Sequence, residues 1–294
     1  MPILKNIVSM ETTIQLISLR ANMKPEIIAI ICIYLGFALV ESLKTGLFNK
    51  KGSSRDDLIV EIVSIFGLLL IIQPGIILAA QTLAAVSFPE YAGVLKDLPT
   101  WVQFALLLIF DDLTQYWWHR SSHSIRWLYQ LHRPHHNASY MSVRLVYRNS
   151  LLYYMLMPGI WLSAILVYLG LGWVYTIYIT TKLTVIIGAH CDWHWDTPLY
   201  KIKALRPIMW VVERLISTPS THSMHHGKHL SDGITHYKGN YGNLLFLWDI
   251  IFGSARITRR RPPKYGVEKL PETSWVEQLF WPFIRVSPEK NDTS

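Results

Sequence analysis

Ten of the twelve histidines in this 294-residue chain fall into four short clusters with the spacing of neighbours on one helical face. The clusters are His119 with His123, His132 with His135 and His136, His190 with His194, and His222 with His225 and His226. Imidazole is a frequent ligand of iron, zinc, copper and nickel. Ten converging nitrogens are too many for one ion and suit two. The sequence therefore predicts a site for two metal ions.

The histidines are confined to one part of the chain, since none lies before residue 119 or after residue 236. His229 and His236 fall outside the clusters, and we expect them to be outer or surface residues rather than ligands. The two cysteines, Cys32 and Cys191, do not make a disulfide framework. Cys191 lies between two histidines and is a candidate soft ligand, although a small packed thiol is the more common role.

Carboxylates near the histidines are candidates for orienting the imidazoles and offsetting the metal charge. Asp112 is the strongest, because it lies seven residues before His119, close to two helical turns. A carboxylate at the end of an apolar span is costly unless it has a partner. The alternative is an interfacial cap that faces water. Weaker candidates are Asp111, Asp192, Asp196 and Asp249.

The elements that position these clusters are predicted to be membrane helices. The chain is 51% hydrophobic and only 16% charged, whereas soluble domains carry about 25% charged residues. Apolar segments over 27–40, 62–86 and 101–110 each predict one crossing, and the segment over 151–188 predicts a hairpin that turns near Gly170. The expected fold is therefore all-α, an integral membrane protein whose helical cap holds the metal site.

Charge predicts which side of the membrane the cap occupies. The formal charge is +8, but the basic residues lie between and after the apolar segments, so no nucleic-acid partner is expected. Lysine and arginine beside spans favour the cytoplasmic side, which places all four clusters there. The loop over 44–57 would share that side, and the loop over 87–100 would face away.

The chain divides into three predicted regions. Residues 1–100 hold the first spans and an interfacial segment, 101–255 form the metal-binding core with the hairpin, and 256–294 form a cytoplasmic tail. Residues 3–19 are expected to lie on the bilayer surface as an amphipathic helix, and no signal peptide is recognised. Within the tail, 280–284 would touch the membrane.

Pro134 predicts a local boundary inside the second cluster. Proline costs about 3 kcal/mol in a helix interior but is tolerated in the first turn. We therefore expect a helix to begin with His135 and His136, and His132 to precede it. Pro219 precedes the fourth cluster in the same way.

Other metal chemistries fit less well. A metalloprotease motif has glutamate directly after its first histidine, whereas this chain has Arg120, and no cluster contains a glutamate. A transporter would place its ligands within the spans at the membrane midplane, whereas these clusters lie at span ends. A membrane metal transporter or store nevertheless stays as the alternative to an enzyme. Two irons fit best.

The order of motifs resembles the fatty acid hydroxylase/sterol desaturase superfamily. The clusters run His-x3-His, His-x2-His-His, His-x3-His and His-x2-His-His, and are followed by Asn240-Tyr241-Gly242 and Trp248-Asp249-x2-Phe252-Gly253. The approach to the first cluster is Asp112-x3-Tyr116-Trp117-x-His119-Arg120. The resemblance covers roughly residues 100 to 255.

This resemblance implies a membrane-bound oxygenase with two iron ions, which uses dioxygen to hydroxylate or desaturate an aliphatic C–H bond of a lipid. Zinc could occupy such a site in purified protein. The metal ligands would be His119, His123, His132, His135, His136, His190, His194, His222, His225 and His226. Beside them, Tyr116, Asn240 and Tyr241 would join Asp112 in hydrogen bonds near the metals, and Gly242 and Gly253 would serve backbone turns.

Several points stay open at this stage. Hydroxylation and desaturation start from the same hydrogen abstraction, and sterol-like, fatty-acyl, carotenoid and ether-lipid substrates all fit the motifs. Electrons are expected from a separate ferredoxin or b-type cytochrome with its reductase, because no further histidines are available for a fused haem. A bacterial inner membrane is the favoured location, with the endoplasmic reticulum as the second.

Overall fold

The computed structural model describes residues 25–270 and 273–285, and the surface helix predicted over 3–19 lies outside them. The described residues form helices and connecting segments and contain no strand. Two isolated bridges, Ile216 with Leu245 and Gly227 with Tyr265, are their only β-type pairings. The predicted all-α class is confirmed.

Long helical rods make up the first half of the described chain. They are α1 (Pro25–Lys44), α2 (Arg55–Phe66) continuing through a π-helical turn (Gly67–Ile72) into α3 (Gln73–Ser87), and α4 (Thr100–Leu107) continuing through a second π-helical turn (Leu108–Leu113) into α5 (Thr114–Ser124). After α5 come α6 (Arg126–Asn137), α7 (Leu151–Leu156), α8 (Pro158–Leu166) with a π-helical segment (Val167–Leu171), and α9 (Gly172–His190).

Shorter helices follow. They are α10 (Asp196–Lys201), α11 (Arg206–Leu215), α12 (Pro219–His225), α13 (Leu247–Ile251) and α14 (Trp275–Phe280). Single 3-10 turns occur at Pro89–Tyr91, Val143–Leu145, Lys203–Leu205 and Leu230–Asp232.

Two helical stretches are long and apolar enough to cross a membrane, Arg55–Ser87 and Pro158–His190. The second is a hairpin rather than one rod, because Gly170 has φ 117° and interrupts the helix. A Cβ on Gly159 would lie 2.6 Å from Asp111 Oδ1, and Lys182 Nζ lies 2.8 Å from Asp111 Oδ2. In a continuous helix, residues 159 and 182 would be about 35 Å apart. The structure thus contains the predicted turn near Gly170.

The tip of this hairpin contacts the loop between α3 and α4. Gly93 N donates to Tyr168 O at 3.0 Å, and Leu95 N donates to Leu169 O at 2.8 Å. A Cβ on Gly170 would lie 2.8 Å from Lys96 N, so both the positive φ and the close approach require glycine there. The loop and the hairpin tip therefore lie at one end of the bundle, and α9 runs from that end towards the histidines.

Buried ion pairs attach the segment after α6 to the first two helices. Arg144 Nε lies 2.7 Å from Glu61 Oε2, and Arg148 Nη2 lies 2.6 Å from Asp57 Oδ1. At the end of α1, the Glu41 carboxylate accepts from Ser142 Oγ at 2.6 Å and from Val143 N at 3.2 Å, and it also pairs with Lys50 Nζ at 3.2 Å. Because buried charges are tolerated only when paired, these contacts fix the segment over 138–149 against α1 and α2.

The predicted helix start at His135 is wrong. Helix α6 begins at Arg126, and Pro134 lies in its last turn. So close to the helix end, proline removes one backbone hydrogen bond and interrupts little else. The segment that follows α6 also contributes a hydrogen bond to this last part of the helix, since Ser150 N donates to Leu131 O at 3.0 Å. All three histidines of the second cluster are consequently on α6.

The segment after residue 255 is packed on the rest of the molecule over its described residues. Helix α14 contacts α2, α6 and α7, and Ser150 Oγ donates to Leu279 O at 3.1 Å. Lys228 N donates to Lys264 O at 2.9 Å, and Gly266 N donates to His226 O at 3.2 Å. The C-terminal segment therefore covers the end of the fourth histidine cluster.

Candidate metal centre

Nine of the ten predicted ligands meet in two groups that could each hold a metal ion. The five-histidine group contains His119, His123, His132, His136 and His225. The four-histidine group contains His135, His190, His222 and His226. Within each group the candidate ligand atoms lie within 4.8 Å of one another. The groups are in contact, since the rings of His136 and His226 have centroids 4.5 Å apart.

Helical spacing brings most of these side chains together in the two groups. His119 and His123 are one turn apart on α5, and the second cluster occupies the last turns of α6. Helix α12 carries His222 and His225 of the fourth cluster, and His226 is its C-cap residue. The helix starts with a capping box, in which the Thr218 side chain accepts from Thr221 N, and has Pro219 in its first turn.

The five-histidine group is oriented by hydrogen bonds to its outer ring nitrogens. The Nδ1 atoms of His119 and His225 lie 2.7 Å from the carbonyl oxygens of Tyr241 and Gly239, respectively. His132 Nδ1 lies 2.8 Å from the amide oxygen of Asn149. Because these oxygens only accept, each Nδ1 carries the proton, and each Nε2 is left with a lone pair.

The four-histidine group uses the same arrangement. His190 Nδ1 lies 2.8 Å from Ile186 O on the same helix, and His135 Nδ1 lies 3.0 Å from Leu145 O. Imidazoles that bind metals commonly donate their second N–H to such a carbonyl, which fixes the tautomer and the ring orientation.

The inner nitrogens face one another at distances that suit a shared cation. His119 Nε2 lies 2.9 Å from His225 Nε2, and His135 Nε2 lies 3.2 Å from His190 Nε2. Both members of each pair carry their proton on Nδ1, so neither can donate to the other. Nitrogens bound to one ion at about 2.1 Å are spaced about 3 Å apart. The donor set therefore fits a metal ion in each group.

Burial keeps the imidazoles in the form that binds metal. Desolvation, followed by the neighbouring imidazoles, lowers the pKa of seven of these histidines well below the usual histidine value. They are His123, His132, His135, His136, His222, His225 and His226. At neutral pH the rings are therefore uncharged, as a metal ligand must be.

The structure does not bring His194 to either group. Helix α9 ends at His190, and Cys191 is already extended, so the third cluster does not share one helical face. The His194 side chain is 42% exposed, and its Nε2 lies 3.8 Å from Asp192 Oδ1. The end of the helix thus leaves His194 outside the two groups in which the other nine predicted ligands meet.

Asp112 does not contact an imidazole. Its carboxylate accepts hydrogen bonds from Leu244 N, Leu245 N and Trp248 Nε1, at 3.2, 3.1 and 2.8 Å. Tyr116 also uses its hydroxyl away from the imidazoles, since this group lies 2.8 Å from Ser254 Oγ. Both residues position the loop over 239–254, which in turn reaches the histidines.

Asn240 and Tyr241 belong to that loop. The Tyr241 carbonyl orients His119 directly. Asn240 has φ 56°, a conformation that asparagine tolerates, and its side chain bonds the carbonyls of Thr221 and Arg256 at 2.8 and 2.9 Å. Asp249, ranked as a weaker candidate, accepts from Tyr241 N at 2.9 Å and from Gly242 N at 2.6 Å. It is a principal organiser of the loop.

The remaining candidates lie outside both groups. Cys191 is a buried thiol that donates to the carbonyls of Gly188 and Trp193. His229 pairs with Glu268 at 3.5 Å, and His236 Nε2 lies 3.1 Å from Ser254 O. Of the other aspartates, Asp192 pairs with Lys50 at 2.8 Å, and Asp196 accepts from Ser220 N at 2.8 Å.

A cavity leads from the helix bundle to both groups. Its wall includes His119 and His132 of the five-histidine group, and His135 and His190 of the four-histidine group. Most of the wall is apolar or aromatic, with residues such as Leu68, Leu69, Met157, Ile160, Ile179 and Leu183. Such a lining suits an aliphatic ligand.

Two features of the site were missed from the sequence. Asn149 had no motif to mark it, although it orients His132. Lys182 was not marked either, although it forms a buried pair in the cavity wall with Asp111, one of the weaker candidates. A charge inside an apolar helix was the available signal for Lys182, since such charges mark functional sites in membrane segments.

Comparison with known proteins identifies relatives of this core. The family model described as fatty acid hydroxylase matches residues 104–254. Alkylglycerol monooxygenase from Danio rerio is 26% identical over 154 residues, which cover 49% of this chain and 28% of the relative. The Homo sapiens protein of the same name is 26% identical over 143 residues, with 49% and 28% covered. The match thus spans about a quarter of the length of these relatives. No solved structure gives a significant match.

Proposed function

Because this chain belongs to the fatty acid hydroxylase family, we propose that it is a membrane oxygenase that hydroxylates or desaturates an aliphatic C–H bond of a lipid. The observation that carries the proposal is the pair of facing Nε2 lone pairs in each histidine group, at the end of an apolar cavity. The metal centre and the cavity for an aliphatic chain therefore adjoin.

The metals of the proposed enzyme are two iron ions, one in each histidine group. When bound, iron would supply the activation of dioxygen. The chain's own contribution is a set of fixed, neutral imidazoles, whose second nitrogens are held by Tyr241 O, Gly239 O, Asn149, Leu145 O and Ile186 O. Zinc fits the same donors, so metal content after purification alone does not identify the working ion.

The cavity supports a lipid as the substrate. Its apolar wall excludes water from the chain to be oxidised, which limits side reactions of a strong oxidant. His119, His132, His135 and His190 line the same cavity, so a carbon held there can reach both groups. Ether lipids are among the candidate substrates, because two relatives are named alkylglycerol monooxygenase.

The membrane orientation and the electron supply complete the proposal. The two candidate membrane stretches are consistent with integration into a bilayer, and the basic residues near the histidines favour a cytoplasmic metal centre. Electrons would come from a ferredoxin or a b-type cytochrome with its reductase on that side. The bacterial inner membrane is the proposed location.

The test is lipid-dependent oxygen consumption by the purified, iron-loaded protein. In nanodiscs with a reduced ferredoxin and candidate lipids, we expect dioxygen uptake and a lipid product that gains one oxygen or loses two hydrogens by mass spectrometry. His222→Ala should abolish the product and lower the bound iron. His194→Ala, a histidine outside both groups, should leave both unchanged.

Two outcomes would count against this function. Iron-loaded protein that consumes no dioxygen with any lipid and donor tested would contradict an oxygenase. Movement of iron or zinc across sealed vesicles, without dioxygen uptake, would instead support the alternative of a metal transporter.

A further inference from the structure

A buried ion pair lies in the wall of the cavity. Lys182 Nζ is 2.8 Å from Asp111 Oδ2, and the two side chains are only 5% and 8% exposed. They are the only acidic or basic side chains, other than histidines, in the cavity wall formed by the described part of the chain. The rest of the wall consists of apolar side chains and uncharged polar groups, so the pair is its one ionic point.

The Asp111–Lys182 pair has the same sequence spacing from a histidine of each group. Asp111 precedes His119 by eight residues, and Lys182 precedes His190 by eight residues. Eight residues correspond to about 12 Å along a helix axis. The pair is therefore set back from the metal centre by about the same distance on both helices.

The pair has hydrogen-bonding capacity left for a ligand. An ammonium group carries three donors, and among the described residues Lys182 Nζ makes one hydrogen bond, to Asp111. The hydroxyl of Tyr147 also lies in this cavity wall, is buried, and has no hydrogen-bond partner in the described structure. Buried polar groups without partners are costly, so the cavity favours a ligand that brings oxygen atoms.

Stability alone does not account for the pair. A buried ion pair can often be replaced by apolar residues of similar volume without loss of stability, and apolar side chains such as Ile160, Ile179 and Leu183 line the same wall. Charged residues inside apolar helices instead mark paths and sites for ligands. The π-helical turn Leu108–Leu113, which contains Asp111, is also a form of helix that recurs at functional sites.

We propose that the Asp111–Lys182 pair binds a hydroxyl group of an uncharged lipid and thereby fixes which carbon reaches the metal centre. A hydroxyl can donate to the carboxylate and accept from the ammonium at once. A free carboxylate or phosphate would be repelled by the negative charge of Asp111, and an amine would be repelled by the positive charge of Lys182. The effect on the oxidised carbon rests on the proposed function, whereas the binding of the hydroxyl does not.

Binding of three matched probes tests the proposal without turnover. The probes are a long-chain primary alcohol, the n-alkane and the carboxylic acid of the same chain length, measured on the purified protein by displacement of a fluorescent lipid. We expect the alcohol to bind about tenfold more tightly than the other two. Tenfold corresponds to about 1.4 kcal/mol, close to the value of one hydrogen bond to a charged group.

Two variants separate a ligand site from a structural tether. Lys182→Met alone, and Asp111→Leu combined with Lys182→Met, should reduce the affinity for the alcohol to that for the alkane. The double variant leaves no unpaired charge, so its thermal midpoint and metal content should stay near those of the wild type. Lys50→Met is the matched control, because Lys50 is also buried and paired with a carboxylate, but lies outside the cavity wall. It should keep the preference for the alcohol.

The proposal is overturned if the folded double variant still prefers the alcohol, if the wild type binds the three probes equally, or if the acid binds best. Turnover gives a separate readout. In an active oxygenase the wild type should oxidise the alcohol at one carbon, and the double variant at several. A protein that prefers the alcohol but never consumes dioxygen would contradict the oxygenase and leave this subsite standing.

Discussion

The two histidine groups differ in the origin of the hydrogen bonds that orient them. In the five-histidine group, His119 and His225 depend on carbonyls of the loop over 239–254, and Tyr241 is 122 residues from His119 in sequence. In the four-histidine group, His190 uses the carbonyl of Ile186, four residues earlier on its own helix. His135 of this group uses the carbonyl of Leu145, ten residues later. The first group is therefore oriented mainly by segments distant in sequence, and the second by acceptors close in sequence.

The groups also differ in the number of their histidines. Four imidazole nitrogens complete the coordination of a tetrahedral zinc ion, so with zinc bound the four-histidine group has no histidine in excess, whereas the five-histidine group has one. His123 is its least constrained member, since it is half-buried and its Nε2 has no hydrogen-bond partner in the described structure. This difference suggests that the five-histidine group tolerates the loss of one ligand better, but depends more on the fold around it.

The largest expected effect comes from removing one ligand from each group. His226→Ala leaves three histidines in the four-histidine group, and we expect bound metal to fall from about two ions per chain to about one. His123→Ala leaves four histidines in the five-histidine group and should keep about two. The measurement is metal per chain after dialysis against a weak chelator.

His194→Ala is the control for a histidine outside both groups, and should match the wild type. Equal losses in His226→Ala and His123→Ala would show that the groups do not differ in spare ligands, and would remove that part of the comparison.

The next effect separates tertiary from local orientation. Asp249 accepts from Tyr241 N with one oxygen and from Gly242 N with the other. In Asp249→Asn one of these N–H groups would face an NH2 group, so the loop should shift. We expect metal affinity of the five-histidine group to fall by about 10–100-fold and the free energy of unfolding to fall by about 1–3 kcal/mol. The four-histidine group should keep its affinity.

Competition titrations with two resolved phases would measure this, each phase being assigned from the His226→Ala and His123→Ala proteins. Glu213→Gln is the control, because Glu213 is fully buried and paired with Arg259 at 2.6 Å, away from both groups. It should lower stability with no selective change in metal affinity. A parallel loss in both phases for Asp249→Asn would contradict separate orientation.

Local patterns predicted most of the histidines that meet in the two groups, because they follow helical spacing. His119 and His123 lie on α5, and the second cluster lies on α6. The same rule failed for His194, because α9 ends at His190 and the spacing of four no longer keeps the two side chains on one face. Pro134 led to a helix boundary that the structure does not have. In the last turn of a helix a proline removes only one backbone hydrogen bond, so α6 continues past it to Asn137.

Contacts between distant segments could not be predicted in this way. Asp112 was selected by its sequence spacing from His119. Its carboxylate instead accepts hydrogen bonds from the backbone N–H groups of Leu244 and Leu245. The acceptors of the five-histidine group are mostly backbone carbonyls, which carry no residue signature. Without a side-chain pattern, the second layer of the site becomes visible only when the fold is known.

The smallest expected effect concerns the one orienting acceptor of the five-histidine group that belongs to a side chain. Asn149 Oδ1 accepts from His132 Nδ1 at 2.8 Å, and its amide nitrogen donates to Tyr154 Oη at 2.9 Å. Asn149→Leu removes the acceptor and should lower metal affinity of this group by about tenfold. Asn149→Asp replaces it with a charged acceptor, which makes His132 a stronger ligand and should raise the affinity. Opposite shifts in the same titration phase would show that the hydrogen bond tunes the metal, whereas equal losses from both variants would mean that Asn149 acts only through packing.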